Sequence, residues 1–344
     1  MSAHNPGADP IRVAILGLGS IGRTHAAALA ALGPGVELVA ASGGGQEPLE
    51  AWPDAERVSP QDLLTRDDVD LLAITSPSDN HAEHAAAAIK AGMSVVIEKP
   101  IATTTADASM LLRLAREHGR QIYPIAQRRL EDQHVAIREL LQSGQLGQIT
   151  LGEALVHWHR DADYYAAAPW RSSMPAGGSL MNQGLHSADL LLSFLGPIAS
   201  VSAHTATLGN GGNAEDTAAV TLAAESGALG VIVTSTATPP GDPALLTLRT
   251  TKGLIDLSHT DIVRWQIEGV PEPTASSDVA GGSNDPAAIG IAGHVQAWQD
   301  ITAAWRAGAE SGVRAVDAWR TVAMIDAAYT SAATGRRIEM PEEV

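Results

Sequence analysis

Three side chains in this sequence combine types and settings that suit proton transfer at a hydroxyl group: Lys99, His186 and Asn182. Lys99 closes the run Ser94-Val95-Val96-Ile97-Glu98-Lys99-Pro100, in which an apolar, β-branched stretch stops at a carboxylate, an ammonium and a proline. Such runs read as buried parallel strands, whose carboxyl ends border the ligand crevice of open α/β sheets. Pro100 cannot donate a ladder hydrogen bond and disfavours a helical residue before it, so Lys99 is expected at a strand tip. Asn182 and His186 lie in Gly177-Gly178-Ser179-Leu180-Met181-Asn182-Gln183-Gly184-Leu185-His186-Ser187-Ala188-Asp189-Leu190. The i, i+4 spacing places them on one helical face, with Asp189 three residues on to orient the imidazole. Gly184 is expected to leave the surface between them bare enough for a ring to approach. Polar groups on an otherwise apolar helix are costly unless used. An imidazole has the ordinary pKa of a base working near neutral pH, and a buried ammonium can steady a developing alkoxide. A loop lysine or a satisfied core histidine would explain either residue alone; the surroundings of both argue for chemistry.

The first half must hold the lysine, and it reads as a nucleotide cradle. The strand Ile11–Leu16 runs directly into Gly17-Leu18-Gly19-Ser20-Ile21-Gly22, followed by a helix from Arg23 to Leu32, the break Gly33-Pro34-Gly35 and a second strand, Val36–Ala41. Strand, Gly-x-Gly-x-x-Gly, helix and strand within about thirty residues is the context that makes this motif informative. Gly17 makes the tight turn, Gly19 lets a pyrophosphate approach the backbone, Gly22 lets helix and strand pack, and the helix start offers N–H groups to phosphate. The acidic residue expected near the end of the second strand is missing: the strand ends Ala41-Ser42-Gly43-Gly44-Gly45. No arginine is adjacent, and Ser42 can hydrogen-bond either a ribose hydroxyl or a phosphate. The cofactor is therefore NAD or NADP, with NADP the favoured of the two. Ser20, Ile21, Ser42 and Gly43 complete the expected adenosine and phosphate contacts. Thr75, Ser76, Pro77, Asn80 and His81 are expected along the nucleotide channel, and Glu98 and Gln127 at the nicotinamide end.

Strands at Val69–Ile74, Ser94–Glu98 and Gln121–Ala126 alternate with helices, which implies a doubly wound parallel sheet. From Gln127-Arg128-Arg129 the pattern changes. After a helix from Asp132 to Ser143, period-two apolar spacing marks strands at Ile149–His159, Ile198–Thr207, Thr217–Ala224, Ala228–Thr236, Leu245–Thr250 and Gly253–Leu257. That spacing implies an open, mostly antiparallel sheet whose exposed face would suit an oligomer contact. Residues 270–292 read as a long loop, before helices Gly293–Ala307 and Ala315–Thr334. The expected fold class is α/β: an N-terminal Rossmann domain (11–126) after a flexible tail (1–10), then an α+β domain (127–344) for substrate and oligomerisation.

Composition bounds the partners. The 344 residues carry 22 basic against 39 acidic side chains, a formal charge of −17, without a basic cluster. Nucleic acid and anionic membrane surfaces are poor partners for such a chain. The sequence has no cysteine, which excludes disulfides and thiolate metal sites. His81 and His84 lack a carboxylate at ligand spacing, so no metal is expected. No signal-peptide core or membrane-length apolar run is visible, and a cytoplasmic location is expected.

In order and spacing, Gly17–Gly22, Glu98-Lys99-Pro100, Arg128-Arg129, Ser143-Gly144-Gln145-Leu146-Gly147, Trp170-Arg171 and the stretch from Gly177-Gly178 to Asp189 resemble the Gfo/Idh/MocA (glucose–fructose oxidoreductase/inositol dehydrogenase) family. The resemblance implies a Rossmann domain and a mostly antiparallel domain with the active site between them. It also implies Lys99 and His186 as the catalytic pair, and a cis bond before Pro100. The expected activity is reversible, NAD(P)-dependent oxidation of a secondary alcohol on a sugar, sugar acid or cyclitol. Arg128, His157, His159, Tyr164, Trp170 and Arg171, with Asn182 and His186, are expected to line the substrate, and the protein to be a homodimer or homotetramer through its open sheet. Asn182 departs from the aspartate frequent in the family: it cannot carry a charge, but it can bond a substrate hydroxyl. The Asn182-Gln183-Gly184 variant resembles a branch acting on uronate or nucleotide-linked sugars. Other readings are a glycoside-cleaving enzyme that recycles its bound dinucleotide, a non-catalytic dinucleotide sensor, and a reductase for a non-sugar ketone or imine. Net NAD(P)H formation from a free sugar would disfavour the first, and a sensor would have no need of Lys99 and His186.

Overall fold

The computed structural model describes residues 9–45, 49–209, 211–259, 261–274 and 290–343. Most of the expected N-terminal tail and of the expected loop 270–292 lie outside the described residues. The chain forms two compact units: residues 1–130 with 291–319 in one, and 131–290 with 320–343 in the other. The segment 291–319, which the sequence reading gives to the second domain, therefore clusters with the first. The reason is packing: Trp298 and Ile301 join the apolar core made by Val13, Ile15, Leu29 and Leu38.

The first unit contains β1 (Ile11–Leu16), α1 (Ser20–Ala31), β2 (Val36–Ser42), β3 (Glu56–Arg57), α2 (Pro60–Leu64), β4 (Leu71–Ile74), α3 (His81–Lys90), β5 (Ser94–Ile97), α4 (Thr105–His118) and β6 (Ile122–Pro124). Its sheet has the order β3-β2-β1-β4-β5-β6, with every pair parallel. The order reverses between β1 and β4, the place where doubly wound sheets bind ligands. Register aligns Leu16 with Ser42 and with Ile74, and Ile74 with Ile97. The residues that follow these strands (Gly17, Gly43, Thr75 and Glu98) thus emerge side by side at one edge of the sheet.

The second unit begins with α5 (Asp132–Gln142), β7 (Ile149–His157), α6 (Ala162–Ala166) and α7 (Leu185–Leu195). It continues through β8 (Ile198–Ala206), β9 (Thr217–Ala224), β10 (Leu229–Ser235), β11 (Leu245–Thr250), β12 (Gly253–Ser258) and β13 (Asp261–Ile267). After α8 (Ala292–Ala307), which lies in the first unit, come α9 (Ala315–Thr334) and β14 (Ile338–Glu339). The sheet order is β13-β12-β11-β7-β10-β9-β8-β14, antiparallel except for β7 beside β10. One face is covered by an apolar core including Leu190, Leu191, Leu195, Val220, Ile232, Leu248 and Met324. The other face carries the alternate residues, among them Leu151, Leu155, Val231, Val233 and Leu229, which is 57% exposed. Strand β13 escapes the period-two reading because it is an edge strand whose Asp261, Arg264, Gln266 and neighbours mix polar with apolar. Among the described residues, no helix is long and apolar enough to cross a membrane.

Candidate active site

The glycine turn fits a dinucleotide. Gly17 has φ +112°, and a Cβ there would lie 2.3 Å from the Ser76 backbone nitrogen, so only glycine fits. A Cβ on Gly22 would meet the Gly17 carbonyl at 2.4 Å, as close helix–strand packing requires. Gly19 is exposed, and a Cβ there would meet nothing within 4 Å: the backbone is open to an approaching group. Helix α1 starts with neither a side-chain cap nor an acidic residue in its first turn, so its leading N–H groups suit an anion. Thr75 closes the turn by donating its hydroxyl to the Gly17 carbonyl (2.8 Å).

Several residues expected along the cofactor also brace the fold. Ser42 is buried; its carbonyl accepts from Gly17 and Leu18, while its hydroxyl has no hydrogen-bond partner. His81 is 1% exposed, with Nδ1 2.7 Å from the Pro100 carbonyl and Nε2 2.8 Å from the Ser76 carbonyl, so it ties two strand tips together. Pro77 leads into the turn Ser78–Asn80, and Ser76 Oγ bonds His84 Nδ1 at 2.9 Å. The Gln127 Oε1 atom is buried and has no hydrogen-bond partner. No arginine is adjacent in sequence to the end of β2, but the fold brings Arg57 there. β3 pairs it with Ala41, and its Nη1 donates to the Gly43 carbonyl at 3.3 Å.

Lys99 stands at the tip of β5, as expected, and the Lys99–Pro100 bond is cis. Burial lowers its pKa from the ordinary lysine value, against the opposing pull of the Glu98 charge. Glu98 is 5% exposed and does not reach outward. Its Oε1 lies 2.9 Å from His25 Nε2 and 3.3 Å from His294 Nε2, and its Oε2 accepts from the Lys99 backbone N–H (3.0 Å). Burial alone would raise the carboxyl, but the hydrogen bonds from His25 and His294 hold it well below the usual carboxylate range. The expected role for Glu98 at the nicotinamide gives way to this buried clamp.

In the second unit, the expected α-helical face around Asn182 is a π-helical turn, Ser179–Gly184, that leads into α7 and His186. Wide turns of this kind cluster at functional sites. Gly184 does not keep a surface bare: a Cβ there would lie 2.4 Å from Thr234 Cγ2, so the glycine lets the turn pack onto β10. Asp189 is buried and accepts from Thr321 Oγ1 of α9 (2.7 Å). The turn's start is held by Glu215, which sequence reasoning missed. The Leu180 N–H donates to Glu215 Oε1 (2.7 Å), Ser179 Oγ donates to the same oxygen (3.3 Å), and Tyr329 OH lies 3.3 Å from both oxygens. Gly178 has φ +100°, and a Cβ there would lie 2.1 Å from Glu215 Oε2. Burial raises the Glu215 carboxyl to about 7.

The wall beside the turn combines rings and guanidinium groups. Gln183 Nε2 donates to Tyr164 OH (2.6 Å), and Arg160 Nη2 donates to Gln183 Oε1 (3.1 Å). The Arg160 and Arg171 guanidiniums lie 5.2 and 4.1 Å from the Tyr164 ring centre, and Arg171 lies 6.0 Å from that of Trp170. The buried residues Ala154, Val156, Trp158 and Arg160 alternate with Leu155, His157 and His159, which continue the outer face of the sheet. The pleat therefore turns His157 and His159 away from the side on which Arg160 meets Gln183. Arg128 is partly exposed in the first unit, while its neighbour Arg129 is buried near Asp317.

Residues 11–125 match the oxidoreductase family with an NAD-binding Rossmann fold, and residues 134–256 match the GFO/IDH/MocA C-terminal domain. The chain is 30% identical over 210 residues to the oxidoreductase YdgJ of Escherichia coli, covering 60% of each. It is 31% identical over 199 residues to scyllo-inositol 2-dehydrogenase (NADP(+)) IolW of Bacillus subtilis, covering 57% of this chain and 55% of the relative. These matches span little more than half the length of the curated relatives. Among solved structures, the WlbA dehydrogenase of Bordetella pertussis, in complex with NADH and UDP-GlcNAcA, has a TM-score of 0.85 and 28% identity. That similarity covers 97% of this chain and 100% of the other.

Proposed function

Because the chain belongs to the GFO/IDH/MocA oxidoreductase family, we propose that it is an NAD(P)-dependent dehydrogenase acting on a secondary alcohol of a sugar acid or a nucleotide-linked sugar. The observation that carries this reading is Lys99 at the tip of β5, in line with the glycine turn that follows β1. When bound, the dinucleotide supplies a nicotinamide C4 that accepts or returns a hydride. Lys99 binds the reacting oxygen and steadies the charge that develops as its proton leaves. His186 takes that proton, and the uncharged Asn182 holds a neighbouring hydroxyl. Gln127, whose buried Oε1 has no hydrogen-bond partner in the chain, is assigned to the carboxamide of the nicotinamide.

Support for the acidic substrate class comes from Arg160 and Arg171 around Tyr164, since guanidinium forks suit carboxylates and phosphates. The UDP-GlcNAcA bound by the similar WlbA dehydrogenase points the same way. A panel of polyols, neutral sugars, uronates and UDP-linked sugar acids, each with NAD and NADP, tests this through the absorbance of reduced nicotinamide. Turnover confined to neutral cyclitols would refute the acidic class. Arg171→Met should raise KM for the acidic substrate about tenfold, the discrimination of one charge-assisted contact, with kcat little changed.

We assign NADP as the preferred cofactor because Arg57 stands at the tip of β2, where a 2′-phosphate would lie. Arg57→Ala should weaken NADPH about tenfold and NADH hardly at all, as read by nicotinamide fluorescence on titration. Equal losses for both would reject the assignment. The exposed sheet face bearing Leu229, Val231 and Val233 is proposed to meet a second copy of the chain. A cytoplasmic location is the setting proposed for a dinucleotide-dependent enzyme of this kind.

A further inference from the structure

We propose that Glu98, clamped by His25 and His294, is a positioning residue that acts as the buried counter-charge of Lys99 and sets the pH range over which that lysine is an ammonium. The inference rests on the reading of Lys99 as the reaction's cation.

The argument turns on where the protons of the two imidazoles lie. Trp298 Nε1–H donates to His25 Nδ1 at 3.0 Å, and an indole nitrogen can only donate. His25 Nδ1 therefore carries a lone pair, its proton sits on Nε2, and it points at Glu98 Oε1. His294 also presents Nε2 to that oxygen, while its Nδ1 is buried without a hydrogen-bond partner. Each ring can thus donate to the carboxylate while remaining neutral, and burial favours the neutral form of His25. The histidines satisfy the carboxylate's lone pairs without cancelling its charge. The negative charge is left for the adjacent Lys99, whose backbone N–H already bonds Oε2.

His25, Glu98 and His294 could also be read as a metal set, since one ligand atom from each lies within 4.8 Å of the others. That reading needs a lone pair on His25 Nε2, which the Trp298 hydrogen bond assigns to a proton. Among the described residues, the titratable groups bonded to the clamp are His25 from α1, His294 from α8 and Lys99 through its backbone N–H, with His81 of α3 bonded to the Pro100 carbonyl beyond. Two opposing effects meet on Lys99: burial favours the neutral amine, and the Glu98 charge favours the ammonium. The clamp also joins helix α1, whose start forms the cradle, to the strand tip that presents the lysine.

The chain has three lysines, Lys90, Lys99 and Lys252, so a protein labelled with 13C at lysine Cε gives a spectrum simple enough to titrate residue by residue. The Lys99 signal is identified by its loss in Lys99→Met. Glu98→Gln keeps the shape but removes the charge, and should lower the Lys99 midpoint by about one pH unit or more, with Lys90 and Lys252 unmoved. Glu98→Asp keeps the charge and should hold the midpoint near the wild-type value. Folding of each variant is checked by NADPH binding. An unmoved midpoint in Glu98→Gln, or equal shifts in both variants, overturns the proposal. Should Glu98→Gln not fold, the wild-type Glu98 Cδ signal, identified by its loss in Glu98→Asp, must keep its ionised position from pH 8 to pH 5. Uptake of a proton in that range also overturns the proposal. No substrate is present in these titrations, so they stand or fall independently of the dehydrogenase reading, which the turnover of Lys99→Met tests.

Discussion

Lys99→Met should lower turnover at least about 100-fold while leaving dinucleotide affinity within a factor of two. Methionine fills nearly the same volume and leaves the tip of β5 undisturbed, so the loss isolates the ammonium. The fall should appear in kcat and kcat/KM together, because the charge that the ammonium stabilises exists only once the hydroxyl proton is leaving. His186→Ala should cost a comparable factor, and at high pH part of its loss should return as hydroxide replaces the base. The double variant is the sharper measurement. If both side chains act on one oxygen, the pair of substitutions costs little more than the worse single one. Losses that multiply in full would mean that the two residues act at separate steps, and near-normal turnover in either single variant would remove that residue from the mechanism.

The parts of this site that could be read from sequence are those whose logic is local. Gly17 to Gly22 follow a strand and open a helix, and the structure shows why Gly17 and Gly22 admit no side chain while Gly19 leaves the backbone bare. Lys99 was legible because an apolar run, a charge and a proline are contiguous. What escaped is set by pairing between distant segments. Arg57 lies far beyond the end of β2 in sequence, and only the short β3 brings it beside Gly43. His25 and Trp298 are 273 residues apart, and His294 reaches Glu98 across 196, so no window of sequence holds the clamp. The period-two pattern correctly signalled the sheet of the second unit, but not which face each residue of β7 would take beyond the strand's end. For that reason the sequence points to His157 and His159 and does not single out Arg160. The π-helical turn was missed because its residues also fit an α-helix; its marks are tertiary, namely Gly184 against Thr234 and Gly178 against Glu215.

Glu215 itself supports the second large expectation, a dependence of stability on pH that one substitution should remove. Its carboxyl is raised by burial from an ordinary 4.5 to about 7 in the folded chain. A raised acid binds its proton more tightly when folded, so its favourable contribution is complete below the unfolded value and is lost as pH climbs through the folded one. At about 1.4 kcal/mol per pH unit, the loss between pH 4.5 and pH 7 amounts to roughly 3 kcal/mol. The direction follows from the surroundings. The Leu180 N–H and the Ser179 hydroxyl favour the ion, yet the site is enclosed, and no cationic side chain is among the partners that set its pKa. Glu215→Gln imitates the protonated acid: its amide oxygen can accept from Leu180 and its amide nitrogen can donate to Tyr329 OH. Urea unfolding should therefore give the wild type and Glu215→Gln nearly equal stability at pH 4.5. At pH 8 the variant should be the more stable, by up to about 3 kcal/mol. Parallel stability curves for the two proteins would show that the carboxyl does not titrate in this range. Glu215→Ala should behave differently from both, because it leaves the Leu180 N–H and the Tyr329 hydroxyl without their partner at every pH. The π-helical turn would then lose its anchor, and Asn182 and His186 their fixed placement, so kcat should fall in Glu215→Ala but hold in Glu215→Gln.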